Sequence, residues 1–372
     1  MQKTLMVGLT EKDMDAMIHS FDLKPYYHNT LFPIKQNGTL EWKALEMQTG
    51  MRVAADVVAR GASTRRRTRN PLQRISGDIP KLSIARTMDE EEYENYDIAL
   101  YLAKGNPDQT ALVEAWAEDM RFCWNGIANR VEWIALKAAS LGKVKFTAEN
   151  NVGIVTEYDV DYQLAGLETN NLQGYQTGSA AWNLSASAKP ITVDFKAIVQ
   201  GARAHAHGIY LRYCFMNLDT FNKFAETKEV KDLCANYLSV ALDITTSPSV
   251  EQVNKTMAKL PYLYGLQIGI VDQDIAIESE QGDFTNGNPF EDNVVLFSET
   301  PTLGHTYYKT PAEMRSKNAA VLKVQNGYTC IKKFSTEDPF GEHTIGFANV
   351  FPAWTNSSRC FLMDVANNTW NK

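Results

Sequence analysis

The sequence predicts an α+β fold in which a long helix, a long β-hairpin and several strands are interrupted by an inserted α/β domain. Apolar residues recur every three or four positions through residues 107–141, which places them on one face of a helix. Two segments of alternating apolar and polar residues, 39–47 and 81–86, flank a stretch with little apolar content, which indicates a protruding hairpin. Helical and strand patterns alternate from residue 190, and strand patterns return after residue 319.

The length and composition are those of a globular chain with two or three domains. The 372 residues are 44% hydrophobic, which suffices for packed cores. A formal net charge of −7 opposes wholesale nucleic-acid binding. No apolar run approaches the roughly 18 residues of a transmembrane helix, and the first residues contain too short an apolar segment for a signal peptide. The five cysteines are widely spaced without a Cys-x-x-Cys pair, which favours reduced thiols.

Residues 1–37 are predicted to form an N-terminal arm. They contain Pro25 and Pro33 together with aromatic residues such as Tyr26 and Tyr27. Prolines and aromatic side chains in a short polar segment favour an extended arm that packs on something else. The alternative is an ordinary lead-in to the first domain.

Residues 38–92 are predicted to form the hairpin. A loop of this length inside a compact domain is expected only where it has a role. The predicted contact residues at its basic tip are Arg60, Arg65, Arg66, Arg67, Arg69 and Arg74, and those at its acidic base are Asp89, Glu90, Glu91, Glu92 and Glu94. Because a hairpin tip cannot easily reach its own base, we expect it to contact the base of a neighbouring copy. Such a contact fixes the register between subunits more than it adds affinity.

Two simpler interpretations of these charges stay open. The acidic run is also typical of a solvated helix face. Arg65, Arg66, Arg67 and Arg69 have the chemistry to bind phosphates. The net acidic charge of the chain favours a protein contact for the arginines over a nucleic-acid contact.

The long helix is predicted to be the spine of a domain covering residues 93–166. Asn106 suits the cap position and Pro107 the first turn, while Gly142 follows the last apolar residue as a stop. About 35 residues at 1.5 Å rise give roughly 50 Å, beyond the diameter of a small domain. Gly126 lies mid-helix at a cost of about 1 kcal/mol relative to Ala, so we expect a bend there.

A strand pair and then an α/β domain follow the helix. The pair is predicted at residues 143–147 and 151–162, joined by a turn. The domain predicted over residues 167–318 alternates helical patterns with strand patterns. The helical patterns lie at 193–207, 228–242 and 249–260, and the strand patterns lie at 209–216, 266–271 and 293–297. Strand patterns in residues 319–372 resemble those beside the long helix, so we expect the chain to return to that first domain.

Residues with the chemistry of enzymes or metal sites are sparse. His205 and His207 are the nearest approach to a metal motif, but positions two apart face different sides of a helix, and cations near a helix end are explained by the dipole. Asp159 and Asp161 share one face of a strand without an identifiable cleft for acid–base catalysis. No glycine-rich nucleotide loop and no Gly-x-Ser-x-Gly motif occurs. We therefore expect no enzyme activity, no cofactor and no metal.

Several short segments occur in an informative order. They are an apolar-Phe-Pro entry to the hairpin, an Arg-Gly-Ala-Ser-Thr stretch within it, an apolar strand that runs into Gly-His-Thr-Tyr, a Thr-Glu-Asp-Pro turn and a closing Phe-Pro-Ala-Trp. They lie at residues 31–33 with 39–41, 60–64, 293–308, 335–342 and 351–354. Their order and spacing resemble the major capsid proteins of tailed bacteriophages, which have the Hong Kong 97 fold, and in particular the lambda capsid protein E family.

The resemblance implies a structural protein that forms an icosahedral phage head from pentamers and hexamers and encloses double-stranded DNA without specific binding. It implies the Hong Kong 97-type division into N-terminal arm, extended hairpin (E-loop), peripheral domain with spine helix, and axial α/β domain. The partners would be further copies of the chain, a scaffolding protein, a portal and, as a further candidate, a decoration protein. Assembly would pass through a procapsid in the bacterial cytoplasm before the protein reaches the virion. Because Met1 begins the chain without a long charged helical extension, the scaffolding protein would be separate.

Two other functions remain as alternatives. A soluble α/β enzyme or small-molecule-binding protein with a protruding hairpin predicts a pocket in the middle domain and a stable monomer or small oligomer. A nucleic-acid-binding protein that uses the arginine cluster predicts DNA affinity that falls steeply with salt.

Overall fold

The computed structural model of the chain describes residues 11–23, 25–47, 72–102, 109–147, 150–151, 159–162, 164, 171–204, 208–238, 247–278, 284–316, 318 and 320–372. The chain divides into two compact units, each made of separate segments. The first contains Met1–Trp42, Gly77–Ile134 and His305–Ala353, and the second contains Lys43–Ser76, Ala135–Gly304 and Trp354–Lys372. Each unit has its own principal β-sheet.

The first half of the chain contains the long helix and the hairpin. Its helices are α1 (Glu11–Ser20), α2 (His28–Leu31), α3 (Glu90–Leu102) and α4 (Gln109–Leu141). Its strands are β1 (Ile34–Gln36), β2 (Glu41–Met47), β3 (Leu72–Asp78), β4 (Lys81–Asp89), β5 (Lys143–Lys145), β6 (Asp159–Asp161) and β7 (Leu172–Gly174). α4 confirms the predicted long helix, and β5 and β6 confirm the strand pair after it.

The second half alternates helices and strands and then continues with strands. Its helices are α5 (Lys196–Ala204), α6 (Leu218–Glu226), α7 (Lys228–Leu238) and α8 (Val250–Ala258). Its strands are β8 (Tyr213–Asn217), β9 (Gln267–Val271), β10 (Ile275–Glu278), β11 (Phe284–Gly287), β12 (Val294–Ser298), β13 (Gly304–Lys309), β14 (Leu322–Asn326), β15 (Thr329–Glu337), β16 (Phe340–Trp354) and β17 (Phe361–Asp364). A π-helical turn, Pro190–Phe195, leads into α5, and short 3₁₀ helices occur at Pro261–Leu263, Ala312–Arg315 and Ser357–Arg359.

The principal sheet of the first unit has the strand order β1–β13–β16–β15–β14, and β4 also pairs with β16. β1 is parallel to β13, whereas β14, β15, β16 and β4 are paired antiparallel. Strand β16 has 15 residues, so it is long enough to pair with both β4 and β13. The sheet thereby joins segments from both ends of the chain.

Helix α4 packs its apolar face on this sheet. Buried residues of the helix share two clusters with residues from β14, β15, β16 and the turn between β14 and β15. The members are Met120, Trp124, Ile127 and Val131 on the helix, and Leu322, Val324, Tyr328, Ile331, Ala348 and Val350 on the sheet. A Cβ at Gly126 would lie 2.5 Å from Ile84 Cδ1. The glycine for which the sequence predicts a bend therefore allows β4 to approach the helix closely.

Residues 11–36 differ from the predicted arm, because they pack on their own unit. Met14 and Ile18 of α1 are fully buried, with Met17 and Phe21 packed against the same cluster. Their three-residue and four-residue spacing forms an apolar stripe, which covers the outermost strand β14. β1 then joins the sheet beside β13.

The hairpin consists of β2 and β3, and not of the predicted segments 39–47 and 81–86. β2 agrees with the first segment, but β4, which contains the second, pairs with β16. Leu82 and Ile84 of β4 pack against the cluster under α4, so the sheet satisfies their apolar pattern. β3 has little apolar content, which is why its sequence does not reveal it, and Pro80 separates it from β4.

The principal sheet of the second unit has the strand order β7–β17–β12–β8–β9. β8 is parallel to β9 and β17 to β7, while β12 is antiparallel to both its neighbours. The core beside it is aromatic: Phe195 lies 5.8 Å from Trp182, 5.5 Å from Phe224 and 5.2 Å from Phe297, measured between ring centroids. Such contacts add stabilisation beyond the burial of area.

The last strand differs from the prediction that residues 319–372 return to the first domain. β17 lies between β7 and β12 in the sheet of the second unit, with Phe361, Leu362 and Met363 buried. A strand covered on both faces has a continuous apolar sequence in place of alternation, and residues 360–363 show that pattern. β13, which the prediction places in the middle domain, pairs in the sheet of the first unit.

Side-chain caps fix the starts of two helices in the second unit. The backbone N–H of Thr220 donates to Asn217 Oδ1 at 2.9 Å, so Asn217 caps the start of α6. Ser249 and Gln252 form a reciprocal capping box at the start of α8. Among the described helices, none combines the length and apolarity needed to cross a membrane.

Candidate functional site

The hairpin carries the arginine-rich segment between its two strands. Arg60, Arg65, Arg66, Arg67 and Arg69 lie outside the described residues, and Arg74 lies on β3. β2 and β3 pair with each other in a two-stranded sheet. Within the described part of the chain, neither strand joins either principal sheet.

The root of the hairpin is tightly packed. Trp42 of β2 is fully buried and stacks on Phe351 of β16, with ring centroids 6.1 Å apart and an interplanar angle of 13°. On the facing strand, a Cβ at Gly77 would lie 2.9 Å from Trp42 Nε1. The Ile79 N–H donates to Leu40 O at 2.6 Å, which closes the root. The glycine is therefore required by the close approach of the indole.

The acidic run predicted as the base of the hairpin lies at the end of β4 and the start of α3. Asp89 is the last residue of β4, and the helix begins at Glu90. The Glu92 N–H donates to Asp89 Oδ1 at 2.9 Å, and the Asp89 N–H donates to Glu92 Oε2 at 3.4 Å. This reciprocal pair is a capping box, in which the carboxylates also face the positive end of the helix dipole.

The remaining acidic side chains extend from that helix start into solvent. Glu90, Glu91 and Glu94 are exposed. Tyr93, between them, packs edge-to-face on Phe340 with centroids 6.1 Å apart, which attaches the first turn of α3 to the start of β16. All five acids of the run are thus exposed, and two of them, Asp89 and Glu92, also cap the helix.

The second unit contains an open depression of about 570 Å³. Half of its ten lining residues are acidic, namely Asp219, Asp272, Asp274, Glu291 and Asp292. Small-molecule sites are mostly apolar and contain a few polar groups that fix orientation. The lining of this depression therefore does not resemble the pocket that the enzyme alternative predicts.

The structure describes only one of the two motifs considered for metal or acid–base chemistry. His205 and His207 lie outside the described residues, and Asp159 and Asp161 are exposed at the two ends of β6. Across the described ranges, no group of three or more His, Cys, Asp or Glu side chains is arranged to hold a metal ion.

Buried polar pairs position the elements of the first unit, and sequence reasoning missed them. Lys333 Nζ lies 3.2 Å from Glu342 Oε1, and both side chains are almost completely buried. Burial lowers the pKa of Lys333, against the opposing effect of Glu342. The signal in the sequence is the position of Lys333, two residues after Ile331 and therefore on the same, buried face of β15, although its charge alone suggests an exposed residue.

A second cluster of charges ties the segment after β13 to the sheet. Glu313 accepts hydrogen bonds from Lys81 and Lys332, the latter at 2.8 Å, and these bonds lower its pKa to about 2. Lys323 Nζ donates to the backbone oxygens of Glu313 and Ser316. Because the partners come from β4, β14 and β15, Glu313 connects three strands.

Comparison with known protein families identifies the architecture. The family model described as phage major capsid protein E matches residues 13–362. The chain belongs to this family. It is therefore a bacteriophage major capsid protein, and its role is structural: many copies form the icosahedral capsid of the virion.

Solved structures share the fold of this capsid protein. It is similar to a protein assigned as the capsid protein of a prophage of E. coli CFT073, at 14% identity, with 96% of this chain and 99% of that chain covered and a TM-score of 0.56. It is also similar to a phage-related protein from Bordetella bronchiseptica RB50, at 12% identity, with 95% and 96% covered and a TM-score of 0.54. No curated protein is detectably similar in sequence. The fold of the capsid protein is the Hong Kong 97 type, as the resemblance in sequence implies.

Proposed function

We propose that this capsid protein assembles as pentamers and hexamers into a shell that encloses a double-stranded DNA genome, and that the hairpin provides a contact between subunits. The observation that carries the proposal is the isolated β2–β3 pair, which extends from a packed root and joins no larger sheet among the described residues. A two-stranded hairpin is marginally stable alone. It gains order when it docks on a neighbouring molecule.

The arginine-rich tip of one subunit contacts the exposed acids of α3 in its neighbour. Glu90, Glu91 and Glu94 are exposed and form no ion pair with another described residue, whereas the net negative charge of the chain disfavours a DNA role for the arginines. Exposed ion pairs are individually weak. Repeated in every subunit they define register and stabilise the shell through many simultaneous contacts.

Further partners follow from the same proposal. A scaffolding protein directs assembly of a procapsid in the bacterial cytoplasm, a portal occupies one vertex, and a decoration protein is a further candidate on the mature surface. DNA contacts are non-specific, because the shell has to enclose the genome and a net acidic subunit does not bind the phosphate backbone tightly.

The proposal is tested by replacing Arg65, Arg66 and Arg67 with Ala and measuring particle formation by light scattering and negative-stain microscopy, with the scaffolding protein co-expressed. We expect folded subunits that form few shells. The matched control replaces three exposed lysines of the second unit, Lys228, Lys255 and Lys259, and forms shells in normal yield.

A charge swap makes the test specific to the partner. Changing the three arginines to Glu, or Glu90, Glu91 and Glu94 to Lys, is expected to impair assembly, and both changes in one chain restore it. Normal shells from the triple Ala variant would contradict the contact. Failure of the unmodified chain to form any shell, sheet, tube or capsomer would contradict the capsid assembly itself.

A further inference from the structure

Strand β4 has one edge in the sheet and one edge without a strand. Its residues Lys81 to Asp89 pair with Asn349 to Gly341 of β16, and no other described strand pairs with β4. The side chains of Ser83, Ala85 and Thr87, which share its outer face, are exposed. A regular edge of nine residues is a template for pairing with another chain, and monomeric proteins usually cover or interrupt such edges.

We propose that β4 pairs antiparallel with β4 of a second copy, about a two-fold axis that passes through Ala85. This proposal rests on the capsid assembly proposed above, since a shell brings the same strand of many copies together. A two-fold contact uses the same patch on both subunits, so the strand has to be complementary to itself. The pairing extends the sheet across the interface by backbone hydrogen bonds.

The sequence of β4 is complementary to itself when Ala85 lies on the axis. On the outer face this register places Lys81 opposite Asp89 of the other copy, at both ends of the paired strands, and Ser83 opposite Thr87. Opposite charges and paired hydroxyls directly across a strand pair stabilise it. Lys81 keeps its bond to Glu313 and Asp89 its bond to Glu92, because each group has further donor or acceptor capacity.

The inner face of the same register is matched as well. Leu82 lies opposite Met88, and both side chains already contribute to the apolar layer under α4. Ile84 lies opposite Arg86, whose guanidinium stacks on Phe122 at 4.8 Å and pairs with Asp119 at 3.4 Å within its own chain. The aliphatic stem of Arg86 is therefore left to pack against Ile84.

Neighbouring registers are worse. Residues directly opposite each other in an antiparallel pair lie on the same face of the sheet. The alternative registers therefore place the two-fold axis one residue away, at Ile84 or at Arg86. With the axis at Arg86, the two Arg86 side chains lie directly opposite, which is destabilising. With the axis at Ile84, Leu82 faces Arg86, Lys81 faces Thr87, and Asp89 loses its partner.

An exposed aromatic residue lies beside the proposed contact. Phe122 of α4 is 39% exposed and reaches β4 through its stacking on Arg86. A second copy paired to β4 brings its own Phe122 and Arg86 to the other side of the axis. The contact therefore covers the exposed Phe122 side chain as well as the edge of β4. Exposed apolar surface of this kind is typical of interaction sites.

The test is a disulfide across the axis in the full-length chain. Opposite residues of an antiparallel pair have Cα atoms about 4.5–5.5 Å apart, within the range of disulfide geometry. Ala85→Cys then crosslinks to itself under mild oxidation. Ser83→Cys and Thr87→Cys are the matched controls on the same exposed face, because each faces the other residue and forms the bond only in the doubly substituted chain. All five native cysteines are buried, so they give little background.

The readout is the covalent dimer on a non-reducing gel, from shells and from dissociated subunits. We expect at least about tenfold more dimer from Ala85→Cys than from either control alone, since disulfide formation requires this geometry, and crosslinking in the double variant. Shells with no Ala85→Cys dimer, or with equal dimer from Ser83→Cys, would overturn the strand pairing and leave the capsid function intact. If no shell forms, the capsid proposal fails; a dimer specific to Ala85→Cys in solution would still support the pairing, and its absence would overturn it.

Discussion

Glu132 Oε2 lies 2.7 Å from both the backbone nitrogen and Nδ1 of His28, and both side chains are fully buried. The other oxygen accepts from the Tyr27 N–H at 2.9 Å. The Tyr328 hydroxyl lies 3.2 Å from His28 Nε2. Burial raises the pKa of Tyr328 well above the usual range. One carboxylate on α4 therefore fixes the chain that leads into β1 and, through His28, the turn before β15.

We expect Glu132→Gln to lower the free energy of unfolding, because an amide cannot accept from all three N–H donors. Each buried donor left unpaired costs about 1–3 kcal/mol. Urea unfolding of dissociated subunits, followed by tryptophan fluorescence, measures the change. Glu118→Gln, an exposed position on the same helix, is the control and is expected to stay within about 0.5 kcal/mol of the native chain. Equal stability of the two variants would contradict the anchoring role.

The Lys333–Glu342 pair predicts a strong coupling between the two residues. Lys333→Met is expected to cost about 3–5 kcal/mol, because it leaves Glu342 buried without its cation. The double variant Lys333→Met with Glu342→Gln removes both charges, and we expect it to recover part of that loss. Unfolding measurements on the two single variants and the double variant give the coupling energy. Additive single effects would show that the two side chains do not depend on each other.

Gly346 and Gly126, both at the contact of α4 with the sheet, are expected to differ in how much an added methyl group destabilises the fold. A Cβ at Gly346 would lie 2.7 Å from the Cys123 backbone oxygen, which cannot move without disturbing the helix. A Cβ at Gly126 would meet only side-chain atoms of Ile84, of which Cδ1 is the nearest at 2.5 Å, and alanine favours the helix by about 1 kcal/mol. We therefore expect Gly346→Ala to be clearly destabilising and Gly126→Ala to be close to neutral in thermal unfolding. The reverse order would show that the strand adjusts more easily than the Ile84 side chain.

The sequence predicts those elements whose periodicity is strong in a single segment. Helix α4 and the strand and helix patterns of the middle domain are recognisable because each buries one face or both. β2 is recognisable by the alternation in its sequence. β3 is not recognisable, since a hairpin strand outside any core needs few apolar residues. The position of β17 is not predictable from its own composition either, because its partners β7 and β12 lie far away in the chain.

The buried contacts that position the elements are less predictable still. His28 and Glu132 are 104 residues apart, and only the folded sheet and helix bring them together. Single-sequence reasoning treats such residues as surface charge. The acidic run at Glu90 is a different case: the sequence allows a contact between subunits or a solvated helix face, and in the structure Asp89 and Glu92 form the capping box of α3. Its role between subunits stays a prediction.

The hairpin root predicts that a single methyl group disturbs capsid assembly. Gly77→Ala places its Cβ against the indole of Trp42, so the stack on Phe351 or the path of β3 has to shift. Overpacking of this kind costs about 1–3 kcal/mol. Gly38→Ala, at the same end of the hairpin but with open space around its Cβ, is the control. Shell yield and particle diameter measure the result, and equal yields from the two variants would contradict a role for the root in directing the hairpin.

Asp194 predicts a pH dependence of stability in the second unit. It is fully buried, and its carboxylate accepts from Gln176 N, Ser179 Oγ and Trp182 Nε1 at 2.8–2.9 Å. Burial outweighs these bonds and raises its pKa from 3.8 to about 6. A carboxyl whose pKa is higher in the folded than in the unfolded state stabilises the fold fully at a pH below its unfolded-state pKa. This stabilisation is lost as the pH rises through its folded-state pKa. The contribution of Asp194 is therefore lost between about pH 4 and pH 6.

Asp194→Asn isolates this contribution, because the amide does not titrate. Its NH₂ group meets an N–H donor in either orientation, so we expect the variant to be less stable than the native chain by about 1–3 kcal/mol. That difference should be larger at pH 4 than at pH 6 and constant above pH 6, because only the native carboxyl releases a proton on unfolding in this window. Ser179→Ala keeps the carboxyl but removes one of the bonds that lower its pKa. Its pH dependence should therefore remain and extend to higher pH, with a loss of about 1 kcal/mol where the carboxylate is ionised. Parallel stability curves for the native chain and Asp194→Asn would mean that Asp194 is already ionised in the folded protein at pH 4.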